Sequence, residues 1–163
     1  MREISLTQGQ VAKVSDSDFE YYNQWKWFAY LDKDTHTYYA ARNETFYRED
    51  GSKYRRLVYM HRDIMNTPKN LKCDHKNHDT LDNQRHNLRN CTNSQNIMNQ
   101  IRPQSRNKTG VLGVFMYGGK YRAFIHINKK QKQFPSRDTL EEAMQDRKNA
   151  EIVYYGEFRG DKS

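Results

Sequence analysis

The chain has 163 residues, 35% of them hydrophobic and 29% charged, with a formal net charge of +8. That length holds one domain or two small ones, and so little apolar material leaves only small, divided cores. No apolar run approaches membrane-spanning length and the N-terminal segment lacks a signal-peptide pattern. The expectation is therefore no membrane partner, and a cytoplasmic, nucleoid-associated protein.

Residues 1–50 carry six basic and nine acidic groups. Gly9 to Val14 reads as a strand, and the Ser15-Asp16-Ser17-Asp18 cluster after it reads as a turn. Trp25 to Tyr30 is an aromatic run that Leu31 to Thr35 breaks. Thr37 to Arg42 and, after Asp50-Gly51, Arg56 to Met60 are two further strand-like runs. Twelve Tyr and two Trp supply much of the apolar area, so these rings are expected in the core rather than on a ligand platform. Met60 to Met65 is predicted to turn into a short helix before Asn66-Thr67-Pro68. His61, on that helix, is expected to be structural or phosphate-facing.

The densest chemistry lies between Leu71 and Gln100. A short apolar step, Leu71 to Cys73, runs into Asp74-His75. A polar loop follows, then a second step, Leu88 to Cys91. Thr92 and Gln95 have capping-box spacing and predict a helix to about Gln100, which Pro103 prevents from continuing. Asn96 falls one turn into it. Neighbouring side chains on a strand point to opposite faces, so Asp74 and His75 can share a site only where the strand ends. Asp74 and the Asn96 amide oxygen are hard ligands suited to Mg2+, with Mn2+ as a substitute. An imidazole such as His75 titrates near neutral pH and can take a proton from an attacking water. Cys73 and Cys91 are the only cysteines, so neither a disulfide framework nor a structural zinc is expected; a packed thiol pair is.

Residues 101–110 read as a basic linker whose Arg102, Arg106 and Lys108 can follow a phosphate backbone. Ile101 to Arg137 contains nine Lys or Arg and no acid, a pattern suited to a polyanion. From Gly113 the pattern is three strands and a helix. Gly113 to Tyr117 leads through Gly118-Gly119 into Lys120 to Ile127, and Asn128-Lys129 turns into Lys130 to Phe134. Along the second strand Tyr121, Ala123, Ile125 and Ile127 share one face, and Arg122, Phe124 and His126 the other. Thr139 is placed to cap a helix with Glu141 and Glu142 in its first turn, whose inner face is Leu140, Ala143, Arg147, Ala150 and Tyr154.

The segments YMHRDIM at 59–65, CDHKNHDTLDNQRHNLR at 73–89 and CTNSQNIMNQ at 91–100 resemble the HNH endonucleases, in the version common in phage and intron-encoded homing enzymes. The resemblance implies Asp74 and Asn96 as metal ligands and His75 as general base. It makes Asn87 the residue that braces the loop and orients His75. Where such enzymes often carry Asn-Gly-Asn, this chain has Asn77-His78-Asp79; His78 and Asp79 are expected on the loop surface or near DNA. The segments NKTGVLGV at 107–114, KYRAFIHI at 120–127, TLEEAMQDRKNAE at 139–151 and YYGEF at 154–158 resemble the Apetala/ethylene-response-factor DNA-binding domain. That resemblance implies a sheet face in the major groove, with Lys120, Arg122, Lys130 and Lys132 contacting DNA. Two departures stand out: Tyr121 replaces the usual Trp, and Phe134 to Arg137 replaces the usual link to the helix.

The expected fold is α+β: a β-rich region over 1–58, a ββα-metal nuclease core over 59–100, the linker over 101–110, and a three-stranded antiparallel sheet packed on one helix over 111–158. The expected function is site-directed cleavage of double-stranded DNA by a divalent-metal-dependent homing-type endonuclease, acting as a monomer or weak dimer, with no small-molecule cofactor. The alternatives are a DNA-binding regulator without catalysis and an RNA-binding protein.

Overall fold

The computed structural model describes residues 1–100, 103 and 107–160. It is a mixed α+β protein, rich in β-structure, with ten strands in four small antiparallel sheets and four α-helices among the described residues. The chain forms two compact units, Met1–Cys91 and a second beginning at Thr92. Among the described residues no helix is long and apolar enough to cross a membrane.

In the first unit, strands β1 (Arg2–Ser5) and β2 (Val11–Val14) form a hairpin. The Ser15–Asp18 cluster is the start of helix α1 (Asp16–Tyr22) rather than a turn. Ser15 is its extended N-cap residue, and Asp16 and Asp18 sit at the positive end of its dipole. The turn-forming residue types thus serve as a helix start. Strands β3 (Phe28–Asp32), β4 (Thr37–Tyr47) and β5 (Lys53–Tyr59) form a meander. Asp32 closes its first turn by accepting from the backbone N–H groups of Asp34 and Thr35, at 2.9 and 3.0 Å. Strand β3 pairs with β4 only from Thr37 to Ala41, whereas β4 and β5 stay paired out to Tyr47 and Lys53. A two-stranded ribbon therefore extends past the end of β3.

Helix α2 (Met60–Ile64) follows, and β6 (Lys72–His75) and β7 (Leu88–Cys91) form the hairpin that carries Asp74 and His75. Residues from both sides of position 59 close one core: Ile4, Val14, Tyr22 and Trp27 pack with Met60, Ile64 and Leu88. The hairpin loop is also tied to β2 by backbone bonds, from Lys13 N to Leu81 O and from Asn83 N to Lys13 O, both 2.8 Å. Asp18, buried on α1, accepts from Arg85 of that loop at 2.7 to 3.0 Å. Not all the aromatic rings are core: Tyr47 is 67% exposed, and Tyr54 and Tyr30 are also on the surface.

The second unit begins with α3 (Asn93–Met98), whose capping box between Thr92 and Gln95 is formed. Strands β8 (Val114–Tyr117), β9 (Lys120–Ile127) and β10 (Lys130–Arg137) form a sheet with β9 in the centre. Gly118 and Gly119 both have positive φ, +59° and +76°, as a tight two-residue hairpin needs. β10 runs past Phe134 to Arg137, through an irregularity between Gln133 and Ser136. Helix α4 (Leu140–Tyr155) is capped by Thr139 and Glu142. Its inner face holds Ala143, Arg147, Ala150, Glu151 and Tyr155; Tyr154 is exposed, so the helical register carries Tyr155 inward instead. The small Ala123, Val114 and Ala143 pack together, with Tyr121 and Phe134 at the edge. Arg147 is accommodated by pairing with Glu151 at 2.8 Å and donating to the Phe124 carbonyl.

Candidate active site

The β6–β7 register sets Asp74 opposite Arg89 and His75 opposite Leu88. Asp74 is 8% exposed; its Oδ2 accepts a hydrogen bond from Arg89 Nε at 2.9 Å and lies 2.8 Å from Nη2 in an ion pair. His75 is the last residue of β6. Its ring lies 5.0 Å from that of His61 and 6.3 Å from that of Tyr39, centroid to centroid. Burial pushes the His75 pKa below its ordinary 6.5; the hydrogen bond to Asn83 and the Asp74 charge oppose that shift without cancelling it. The site thus holds a carboxylate in an ion pair beside an imidazole that is neutral at neutral pH.

Asn83, fully buried, determines which nitrogen of His75 carries the proton. Its Nδ2 donates to Leu81 O at 3.1 Å, which leaves Oδ1 toward His75 Nε2 at 3.4 Å. An amide oxygen accepts, so in this long hydrogen bond Nε2 is the donor. Asn83 thus hydrogen-bonds the ring. Asn87 works on the loop instead: its Oδ1 accepts from Asn77 N at 3.1 Å and its Nδ2 donates to Asp82 O at 2.8 Å. Asn77 Nδ2 in turn donates to Asp82 Oδ2 at 2.9 Å, and Asp79 pairs with Lys13 at 3.0 Å. Asp79 is thereby engaged in holding the loop against β2.

His61 is 7% exposed and faces rings, so it is not phosphate-facing. Burial, helped by His75 and Arg62, lowers its pKa to about 3. Cys73 donates to the His61 carbonyl at 3.3 Å, and burial raises its thiol pKa to about 11, which keeps it protonated. His78 lies in the β6–β7 loop. It is half-buried, has φ of +65°, and its Nε2 is buried with no hydrogen-bond partner among the described residues.

No three His, Cys, Asp or Glu side chains gather to hold a metal ion among the described residues. The Asp74 carboxylate is the donor a divalent ion would take in the hairpin, in competition with the Arg89 guanidinium. Asn96 lies on α3, in the second unit.

Of the basic residues singled out in the sequence, Arg102 and Arg106 lie outside the described residues, and Lys108 is exposed. Strand alternation places Lys120 and Arg122 on the open face of the β8–β10 sheet with Phe115, Phe124 and His126. Arg122 is held there by Ser136 Oγ at 2.7 Å and Gln133 Oε1 at 3.2 Å. Lys130 and Lys132 pair with Ile127 and Ile125 and so project to the helix side. Lys132 donates to the Tyr154 hydroxyl at 2.7 Å. The structure brings only two of these four residues to the open face.

Two features escaped the sequence reading. Arg89 follows from the hairpin register, since Asp74 and Arg89 are equidistant from the loop ends that pair. The β4–β5 ribbon also carries stacked cations: Arg56 lies 4.5 Å over Phe46, Arg48 4.8 Å over Tyr54, and Phe46 stacks on Tyr54 at 5.5 Å. The clustering of Arg48, Arg55 and Arg56 with Phe46 and Tyr54 around the Asp50-Gly51 turn was the available signal. No protein-family model, curated protein or solved structure matches the chain.

Proposed function

We propose that this protein is a divalent-metal-dependent DNA endonuclease of the site-directed, homing type, with His75 as general base. The observation that carries the reading is the neutral, buried His75, oriented through Nε2 by Asn83 and adjacent in the chain to the buried Asp74 carboxylate. His75 takes the proton of an attacking water. Asn83 keeps the protonated Nε2 fixed during that transfer, and Asn87 holds the loop from which Asn83 projects. Asp74 would hold a divalent ion. When bound, that ion supplies Lewis-acid stabilisation of the charge on the scissile phosphate and the leaving 3′ oxygen.

Double-stranded DNA is the substrate this charge pattern favours. The open face around Lys120 and Arg122 and the cation-bearing β4–β5 ribbon are two contact surfaces of the kind a major groove admits. The test is incubation of the protein with DNA from its source and from intron-flanking sites, with Mg2+ or with chelator, mapping cuts on each strand. Mg2+-dependent cuts that disappear with His75→Ala support the reading; equal cutting by His75→Ala removes His75 from the mechanism.

One observation favours a second reading. The Asp74 carboxylate is already paired by Arg89, as it would be in a DNA-binding regulator without catalysis. Site-specific binding with no cleavage in either Mg2+ or Mn2+ would establish that reading instead.

A further inference from the structure

We infer that the β4–β5 ribbon grips duplex DNA with one face only, the face that presents Asn43, Thr45, Tyr47, Lys53 and Arg55. That face holds the duplex on the side of the sheet where the His75 ring lies. The inference rests on the reading of DNA as substrate and deepens it, giving the ribbon a contact face and a reach from the cut.

The pairing register separates the two faces. Directly opposed residues of an antiparallel pair project to the same side, as do alternate residues along one strand. Tyr47 opposite Lys53, Thr45 opposite Arg55, Asn43 opposite Leu57 and Ala41 opposite Tyr59 therefore share one face. Lys53 Nζ lies 5.7 Å over the Tyr47 ring, as two side chains on one side would. Arg42, Glu44, Phe46, Tyr54 and Arg56 share the opposite face. Asn43, Thr45 and Tyr47 are exposed, whereas Glu44 and Phe46 between them are half-buried. The first face is the open one.

Charge divides the same way. Glu44 is the one acid in the two strands, and it turns from the open face to pair with Arg42 at 3.2 Å. Arg42 is itself buried, 4.6 Å from the Trp25 ring. Arg56 and Arg48 lie over Phe46 and Tyr54, which cover one side of each guanidinium plane. Lys53 and Arg55 are exposed cations on a strand face without an acid. They complement a phosphate backbone, and the Asn43 and Thr45 side chains beside them are of the types that hydrogen-bond base edges.

The open face also leads to the site. Tyr59, on this face, has its ring 6.0 Å from Tyr39 and 5.7 Å from His61. Those two rings lie 6.3 and 5.0 Å from that of His75. From Tyr39 to Tyr47 the strand advances about 26 Å, the length of about eight base pairs. A two-stranded ribbon is an element the major groove admits, so the contacts run along one flank of the cut.

The test is fluorescence anisotropy of the full chain on a mixed-sequence DNA duplex, over a series of salt concentrations and without divalent ion. The variants are Lys53→Ala/Arg55→Ala on the open face and Arg48→Ala/Arg56→Ala on the other. The open-face pair should lose about tenfold in affinity, and its slope of log affinity against log salt should fall by about 2. The other pair should lose about twofold or less. Equal losses from both pairs, a larger loss from Arg48→Ala/Arg56→Ala, or wild-type binding by the open-face pair overturns the inference. Tighter binding of an RNA hairpin than of the duplex also overturns it. If the open-face variant does not fold, acetylation of wild-type Lys53 with and without duplex gives the same answer. Protection of Lys53 relative to Lys33 supports the inference, and equal modification overturns it. Wild-type protein that cuts DNA while the open-face variant binds normally overturns the inference alone. A duplex held through this face and never cut in Mg2+ or Mn2+ supports the inference and overturns the nuclease reading.

Discussion

Arg89 lies across the β6–β7 ladder from Asp74, donates to its Oδ2 through Nε and brings Nη2 within 2.8 Å of the same oxygen. Both side chains are about nine-tenths buried, so the pair is little screened by solvent. A guanidinium and a metal ion are competing partners for one carboxylate. Replacing Arg89 by Met should cost about 3 kcal/mol, because it leaves the buried carboxylate without a counter-charge. A divalent ion can then take over that role. Thermal unfolding with and without Mn2+ should show a lower midpoint in the metal-free variant, and a larger metal-induced rise than in wild type.

The buried imidazoles make stability depend on pH with a defined sign. His61, His75 and His78 all have folded pKa values below the ordinary 6.5, each mainly through burial. Above that value both folded and unfolded states are neutral at these sites, and stability is at its full level. As pH falls below it, the unfolded chain takes up protons that the folded chain refuses, and stability declines. For His61 the decline continues to about pH 3. Its limiting slope is about 1.4 kcal/mol per pH unit. Urea unfolding at a series of pH values should show midpoints falling steadily on the acid side of neutrality. His61→Phe should flatten that dependence.

Gly113 is required by what lies over it. Its φ is +71°, and a Cβ there would sit 2.6 Å from the Arg147 guanidinium carbon. Arg147 cannot easily withdraw, since it is buried and bound to Glu151 and the Phe124 carbonyl. Gly113→Ala should destabilise the protein by about 2 kcal/mol or more, through both the backbone conformation and the displaced ion pair. Chemical denaturation compared with wild type is the check.

The two sides of the C-terminal sheet should behave differently toward DNA. Arg122→Ala, on the open face, should weaken duplex binding and reduce the slope of log affinity against log salt by about 1. Lys132→Ala, on the helix side and bonded to Tyr154, should leave the slope nearly unchanged. Fluorescence anisotropy at several salt concentrations separates the two.

The strands of the C-terminal sheet were legible because β9 alternates cleanly and its two turns carry Gly118-Gly119 and Asn128-Lys129. The helix starts at Thr92 and Thr139 were legible from their capping boxes. Ser15–Asp18 was not, because Ser and Asp favour turns and helix N-termini for the same reason: their side chains satisfy free backbone N–H groups. The face of Lys132 was missed because composition reports charge, whereas the pairing register decides the side. Asp74 and His75 stood out by type and position. The side chains that adjust them, Asn83 and Arg89, acquire their roles only when the hairpin closes and brings residues eight and fifteen positions away into contact.

The core that joins Ile4, Val14 and Trp27 to Met60, Ile64 and Leu88 bears on how this centre can be inherited or engineered. Residues 59–91 hold Asp74 and His75, yet six of the nine buried residues of that core precede position 41. The loop is also stitched to Lys13, and Asp18 holds Arg85. A chimera that transplanted only the hairpin and α2 would expose that core and release the loop, and would arrive without the support that fixes its imidazole. The supported piece is the whole of residues 1–91, so a chimera that keeps this hairpin and its loop folded must break the chain after Cys91 rather than before Tyr59.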